Sequence, residues 1–375
     1  APNVRSLAMF AANSGCKLAT LGFAARVDFD RVLRGTAYEV PFGQSGFAFR
    51  RGNTFENLLR RDGHAPMLSL FRETLEYDVR GARVENLKKR FPPNRHGMKE
   101  RAAETERILE TIVARDKSAP NLVDGAVLAR EVGGVMAYFE ADAIAAQFEQ
   151  PIHVGEVKSF PTVDGQADPE KVGAAIAQVS IYILLLRDLV QRLGGNPRDV
   201  SGEALLITPR NTGLQPTMSV KEVGREVDRA RRILEQAPNA VEVVSSLPKG
   251  LPSFDAIADI GRSEEERLDA ARRVADPVGY TYQPSCLASC GMSRLCRERA
   301  CGTPQRVGGK LVRLLPNIDS LDRVAALATG SRPAEAERPI AEQLVRAARL
   351  REKLRPPVAV KPPAPKSAPR TKVAS

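Results

Sequence analysis

Between Val135 and Arg210 the spacing of apolar residues switches from strand-like to helix-like and back, which makes this the most legible stretch of the chain. Val135 to Asp142 (VMAYFEAD) and Ile152 to Phe160 (IHVGEVKSF) are rich in β-branched and aromatic residues. They predict two neighbouring strands, joined through a turn-like segment from Phe148 to Pro151. Asp168-Pro169-Glu170 then offers an N-cap, a proline at the first helical position and an early acid. Apolar residues recur at helical spacing from there to a stop at Gly194-Gly195, predicting a helix of about twenty-five residues. Glu203 to Thr208 (EALLIT) predicts a third strand. The resulting order is strand, strand, long helix, strand, an α/β core with a mixed sheet.

Elsewhere the pattern is mostly helical. Met98 to Asp116 is charged and amphipathic, and Ser219-x-x-Glu222 and Ser263-x-x-Glu266 have the form of capping boxes opening two further helices. Gly279 to Gln283 (GYTYQ) reads as a short strand, and Ser320 to Leu354 as two helices broken around Gly330 to Pro333. This divides the chain into an N-terminal segment (1–60), a helical insertion (61–134), the α/β core (135–210), a helical region (211–278), a cysteine-rich segment (279–305), C-terminal helices (306–355) and a tail (356–375). There is no internal repeat. Gly308-Gly309-Lys310 lacks the glycine spacing and the trailing Ser or Thr of a phosphate loop, which argues against an ATP-driven motor.

Composition adds a location and a class of partner. The longest apolar run, Ala174 to Leu186, contains Gln178 and stops at Arg187-Asp188, too short and interrupted for a membrane span. Leu7 to Ala12 is an apolar patch without a convincing cleavage region. The expectation is a soluble cytoplasmic protein with no membrane partner, in a compartment that keeps thiols reduced. A net charge of +11 favours an anionic partner. Part of that charge lies in the tail, where Lys361, Lys366, Arg370 and Lys372 stand among six prolines and no acids. That composition predicts an extended basic arm, either simply solvated or touching nucleic acid.

Two groups of residues carry candidate chemistry. Of five cysteines, Cys16 stands alone, whereas Cys286-x3-Cys290-x5-Cys296-x4-Cys301 fall within sixteen residues, a clustering suited to metal ligation rather than packing. On the predicted strands, Asp142 ends the first, and strand alternation puts Glu156 and Lys158 on one face of the second. Two carboxylates beside the backbone carbonyl of Val157 suit Mg²⁺ or Mn²⁺, which would polarise a phosphodiester and acidify a bound water. The lysine can orient that water or offset charge on the phosphate.

Asp142, Glu156-Val157-Lys158 and then Gln178-x3-Tyr182 on the following helix resemble the PD-(D/E)XK nuclease superfamily, in its RecB-like branch. The resemblance implies a restriction-endonuclease-like core with a mixed central sheet flanked by helices, plus largely helical additions. It implies that Gln178 and Tyr182, four apart on one helix face, help to position the nucleic-acid strand and the catalytic lysine. Arg51-Gly52-Asn53-Thr54-Phe55-Glu56 is similar to the family's first motif, with Glu56 where many members have His, as a third acid near the metal.

One subset of that branch, including CRISPR-associated iron-sulfur exonucleases and AddB-type subunits, places one cysteine before the first motif and three after the core around a [4Fe-4S] cluster. Cys16, Cys286, Cys290 and Cys296 are similar in order and spacing, which would staple the domain across 270 residues and leave Cys301 over. The rival is a zinc site of Cys286, Cys290, Cys296 and Cys301, since four thiolates bind Zn²⁺ equally well. Of the histidines, His64 and His96 fall in loop or helix-edge segments, and His153 is out of phase with Glu156, so none is expected to ligate metal. Tyr280 and Tyr282 suit either base stacking or core packing, and Arg51, Arg60 and Arg61 are candidates for phosphate contacts.

The expected function is a Mg²⁺- or Mn²⁺-dependent DNA nuclease, acting on DNA with single-stranded character in repair or in defence against foreign DNA, with a helicase or defence complex as a possible partner. The alternative is a non-catalytic DNA-binding or scaffold protein with a zinc knuckle, and a third option is an RNA-processing enzyme on the same scaffold.

Overall fold

The computed structural model describes residues 13–354 except 14, 26, 28–31, 41–45, 79, 93–96, 148, 212, 236–238, 289, 309–311 and 313. The apolar patch at 7–12, Phe148, His96, Gly309, Lys310 and the basic tail at 356–375 lie outside the described residues. The chain divides into two units, one of residues 1–301 with 305–307, the other of 302–304 with 308–375.

The first unit is built on a mixed sheet of six strands in sequential order. These are β1 (Val84–Asn86), β2 (Leu122–Val132), β3 (Val135–Ala145), β4 (Ile152–Val157), β5 (Val200–Pro209) and β6 (Pro216–Glu222). The pairs β1–β2 and β4–β5 are parallel and the other three antiparallel. Strands β2 and β3 form a hairpin whose two connecting residues, Gly133 and Gly134, both have positive φ (58° and 78°). A two-residue turn matching the strand twist needs that conformation at both positions, and glycine adopts it without a Cβ clash.

Helices cover both faces. On one, α2 (Gly46–Leu59) and α3 (Arg61–Leu75) set Phe55, Leu59, Met67, Leu70 and Phe71 against Ala143, Val157, Leu205 and Ile207. On the other, α5 (Met98–Val113), α6 (Pro169–Arg192) and α7 (Gly224–Glu235) pack against Ile144, Val154 and Ala204. Strand alternation produces this split, since Ala143 and Ile144 point to opposite faces. The four-residue α4 (Leu87–Arg90) follows β1 directly. Residues Lys171–Arg192 of α6 are long and apolar enough to cross a membrane by length and composition alone, but Tyr182, Ile183, Leu184 and Leu186 are fully buried in the core. Each such side chain contributes about 1.5–3 kcal/mol by leaving water, so this apolar helix is accounted for by core packing.

A second core in this unit joins α1 (Lys17–Ala24) to α8 (Ala240–Ser245), α9 (Phe254–Ala258), α10 (Glu264–Val278) and α11 (Ser293–Arg299). Buried Arg267 ties distant segments by donating to the carbonyls of Ile257 (2.8 Å) and Val32 (3.1 Å). The Ser263–Glu266 capping box opens α10 as expected, with each residue's side chain accepting from the other's backbone N–H. In the second unit, α12 (Leu321–Ala328) and α13 (Arg338–Leu354) bury Leu327 and Ala341 with Leu315 and Ile318, and Arg323 pairs with Glu337. These are the two helices expected around a break at 330–333.

Three expectations need correction. The segment 61–134 is not a helical insertion, since it supplies β1 and β2; Gly125 and the Arg130-Glu131 pair broke up the apolar run of β2. Ser219 lies inside β6 and caps nothing, because its pairing with Leu206 takes priority and the next helix opens at Gly224. Residues 279–283 form no strand; Leu18 of α1 donates its backbone N–H to the Gly279 carbonyl (3.1 Å), and Tyr282 packs in the same core as Leu18 and Ala19.

Candidate active site

Antiparallel pairing of Ala143 with Gly155 sets the neighbouring positions, Asp142 and Glu156, side by side. Both point to the face covered by α6, where Ile144 and Val154 also lie. Asp142 accepts a hydrogen bond from the Val157 backbone N–H (2.9 Å), while the Val157 side chain packs on the opposite face. Lys158 Nζ stands 2.5 Å from Glu156 Oε1 and donates to Gln178 Oε1 (3.0 Å). Gln178 Nε2 in turn donates to the hydroxyl of Tyr182 (2.8 Å), one helical turn on and fully buried. The structure therefore brings five of the named residues into one line.

Glu156 is the unusual member. Its side chain is 0% exposed, and neither carboxylate oxygen has an aligned hydrogen-bond donor, Lys158 lying close to one of them but off axis. Burial, then the charge of Asp142, pushes its carboxyl up to about 8 against the pull of Lys158. Burial likewise raises Asp142. Lys158 is held above its ordinary value: burial works against its charge, but Glu156 and Asp142 outweigh it. Tyr182 is raised by burial and by the nearby carboxylates.

Glu56 reaches the same cluster from α2. Its Oε2 lies 2.9 Å from Arg60 Nη1 and 3.8 Å from Lys88 Nζ, and Lys88 is also 2.7 Å from Glu140 and 3.9 Å from Asp142. Burial works against the Lys88 charge, yet Glu140, Asp142 and Glu56 hold its ammonium above the usual value. Buried Arg101 closes the far side on Glu140 (2.7 Å).

Beside this cluster stands Asp124 on β2, also fully buried. It accepts from Arg60 (2.6 and 3.1 Å) and Asn86 (3.1 Å) and meets His64 Nε2 at 2.8 Å. Burial works against its charge, but His64 and Arg60 bring its carboxyl down to about 2. His64 reaches it because Asp62, Gly63 and His64 are all left-handed (φ 50°, 65° and 70°), turning the chain sharply between α2 and the rest of α3.

Lys88, Asp124 and Glu140 escaped the sequence reading, as did the placement of His64. Glu140 had a usable signal, since it stands two positions before Asp142 on a predicted strand and so shares its face. Arg60, expected to contact phosphate, turns inward to Asp124 and Glu56. Arg61 is exposed, and Arg51 donates to the carbonyls of Ser159 and Gly213. His153 bonds Tyr77 and the Pro151 carbonyl. Tyr282 is core, packed in the cluster that contains the cysteines.

Cys16, Cys286 and Cys296 are buried in that same hydrophobic cluster, and Cys290 packs against it. Burial raises the Cys296 thiol, and the neighbouring Cys290, Cys16 and Cys286 add to the effect, so each of the three lies within electrostatic reach of Cys296. Asn13 points its amide N–H at Cys286 Sγ (3.5 Å). Cys301 is exposed and outside the cluster, and none of the five is in a disulfide.

Among the described residues, no three His, Cys, Asp or Glu side chains stand as a finished cage for a single ion. The donor chemistry nonetheless fits the two expected groups. Glu156 offers two buried oxygens without aligned donors beside a second carboxylate, the hard oxygen set that a divalent cation takes. Cys16, Cys286, Cys290 and Cys296 match the thiolate count of a [4Fe-4S] cluster, which holds each thiolate on a separate iron rather than closing all four on one ion.

No family model and no curated protein matches this chain. The crystal structure of SSO0001 is similar at 14% identity over 45% of this chain and 84% of that one, with a TM-score of 0.19, a likeness too slight to bear on the fold or the function.

Proposed function

We propose that this protein is a Mg²⁺- or Mn²⁺-dependent DNA nuclease with a restriction-endonuclease-like core of the RecB-like, PD-(D/E)XK kind and a structural [4Fe-4S] cluster. The observation that supports it most is buried Glu156, without an aligned hydrogen-bond donor, beside Asp142 and joined through Lys158 to Gln178 and Tyr182. Bound by Asp142, Glu156 and Glu56 with the Val157 carbonyl, a divalent ion would polarise the phosphodiester and supply hydroxide at neutral pH. Lys158 offsets charge developing on the phosphate, and Gln178 limits the positions open to its ammonium. Buried Tyr182 holds Gln178 from below. Arg101 holds Glu140 beside Lys88.

The iron-sulfur assignment is preferred to a zinc knuckle because Cys16 packs with Cys286 and Cys296, whereas Cys301 is exposed. Such a cluster would staple α1 to the segment around α11. DNA with single-stranded character, a repair or antiviral setting and a cytoplasmic location belong to the same proposal.

The test is anaerobic purification with iron, zinc and labile-sulfide analysis, run alongside Mg²⁺ and Mn²⁺ cleavage of single- and double-stranded DNA and of RNA. Expected are about four irons and metal-dependent DNA cutting that Asp142→Ala or Lys158→Ala reduces by roughly 10²–10³-fold with DNA binding retained. Binding without cutting by the natural sequence would favour the scaffold alternative, and preferential RNA cleavage the RNA-processing one.

A further inference from the structure

Lys88 has no part in the chemistry just described, yet the fold is built to admit it. Buried Leu87 anchors α4, and the Asn86 side chain caps it at the Lys89 N–H (2.8 Å) while also bonding Asp124. From there the Lys88 stem crosses the backbone at Gly125, whose φ is +72°. A Cβ at that position would stand 2.6 Å from Lys88 Cγ and 2.8 Å from Arg101 Nη2. Glycine thus satisfies two demands at once, a left-handed backbone and a passage for a lysine entering the acid cluster.

The ammonium is engaged unequally. It lies 2.7 Å from Glu140 Oε1 but 3.8 Å from Glu56 and 3.9 Å from Asp142, so it forms a close ion pair with the first and a looser one with each of the other two. The other charged groups facing this space include Arg60 on Glu56 and Asp124, Asp124 itself within reach of Lys88, Arg101 on Glu140, and Glu156 with Lys158 beside Asp142. Among the described residues, Lys88 is thus the cation within 4 Å of Glu56, Glu140 and Asp142 together.

We propose that Lys88 is a resident counter-ion of the acid cluster that competes with the divalent cation for Glu56 and Asp142, so that metal entry requires its ammonium to leave those two and stay with Glu140 alone. The proposal rests on the metal-site reading above. A divalent ion needs direct carboxylate contacts, and a fixed positive charge within 4 Å of Asp142 opposes it. Lys88 sets the metal concentration at which the site fills, a role separate from that of Lys158.

The experiment is calorimetric titration of Mn²⁺ into the full chain, purified anaerobically. The variants are Lys88→Met, which keeps a stem of similar length in the Gly125 passage, Lys88→Gln as a second neutral replacement, and Lys89→Met, which removes a charge from an exposed neighbour. Both Lys88 variants are expected to bind Mn²⁺ at least tenfold more tightly than the natural sequence, and Lys89→Met to bind it equally. Equal or weaker binding in the Lys88 variants, with the natural sequence still binding, would overturn the proposal and make Lys88 a structural clasp. If neither the natural sequence nor any variant takes up Mn²⁺, the metal-site reading fails as well, an outcome distinct from the first.

Discussion

Asp124 and Glu156 are both fully buried carboxylates on the same sheet, and they are treated in opposite ways. Asp124 meets Arg60, His64 and Asn86 and is brought down to about 2, whereas Glu156 has no aligned donor and is pushed up to about 8. Burying a charge is tolerable when hydrogen bonds replace its lost water, and Asp124 meets that condition. Glu156 does not. The first carboxylate holds the fold together; on the proposed reading, the second keeps its oxygens for a metal ion. Such a difference in satisfaction separates structural from functional acids more sharply than burial alone.

The largest expected effect is on stability. Asp124→Ala strands Arg60 and His64 around an empty position and should cost about 3–5 kcal/mol, read as a lowered denaturant midpoint. Glu156→Gln in metal-free protein should be neutral or stabilising on the same measurement. Comparable losses in the two variants would break the contrast.

Varying pH sharpens it. Between an ordinary 4.5 and about 8, the folded metal-free chain keeps a proton on Glu156 that the unfolded chain releases, so stability falls as pH rises through that window. Asp142, raised by burial, acts with the same sign. Asp124 acts in reverse, its contribution being present above its ordinary 3.8 and lost as pH falls toward about 2. Thermal melts from pH 4 to 9 should show a downward slope that Glu156→Gln makes shallower; an identical slope in both proteins would mean that Glu156 is ionised throughout.

Smaller effects follow at the edges of the comparison. Gly125→Ala forces a left-handed alanine against the Lys88 stem and should cost about 1–3 kcal/mol, measured by the same denaturation. Cys301→Ser should leave iron content and stability within error, whereas Cys16→Ser should abolish iron retention. Metal loss from Cys301→Ser with none from Cys16→Ser would return the cysteines to the local site of Cys286, Cys290, Cys296 and Cys301.

The sequence reading reached Asp142, Glu156, Lys158, Gln178 and Tyr182 because regular elements carry them, and alternation or one helical turn then dictates which side chains share a face. The satisfied half of the site was illegible for the converse reason. Asp124 precedes a left-handed Gly125, Lys88 sits on a four-residue helix, and His64 ends three consecutive left-handed residues. None of these has a period. Strand β2 was hidden by the same glycine, although the Gly133-Gly134 pair between apolar runs was a usable hairpin signal. Ser219 shows the opposite failure, a local capping pattern overruled by strand pairing.

The packing of Cys16 with Cys286 and Cys296 also bears on how the chain is made. During synthesis the segment around α1 emerges first, but the partners that complete its core lie 270 residues later. At ribosomal speeds of about 5–20 residues per second, that interval is roughly 15–60 s. For that time Cys16 is an accessible thiol on an unfinished surface, open to oxidants and chaperones alike, while the sheet can already pair strand by strand. Birth order therefore makes the cysteine-bearing core the last part of this unit to close.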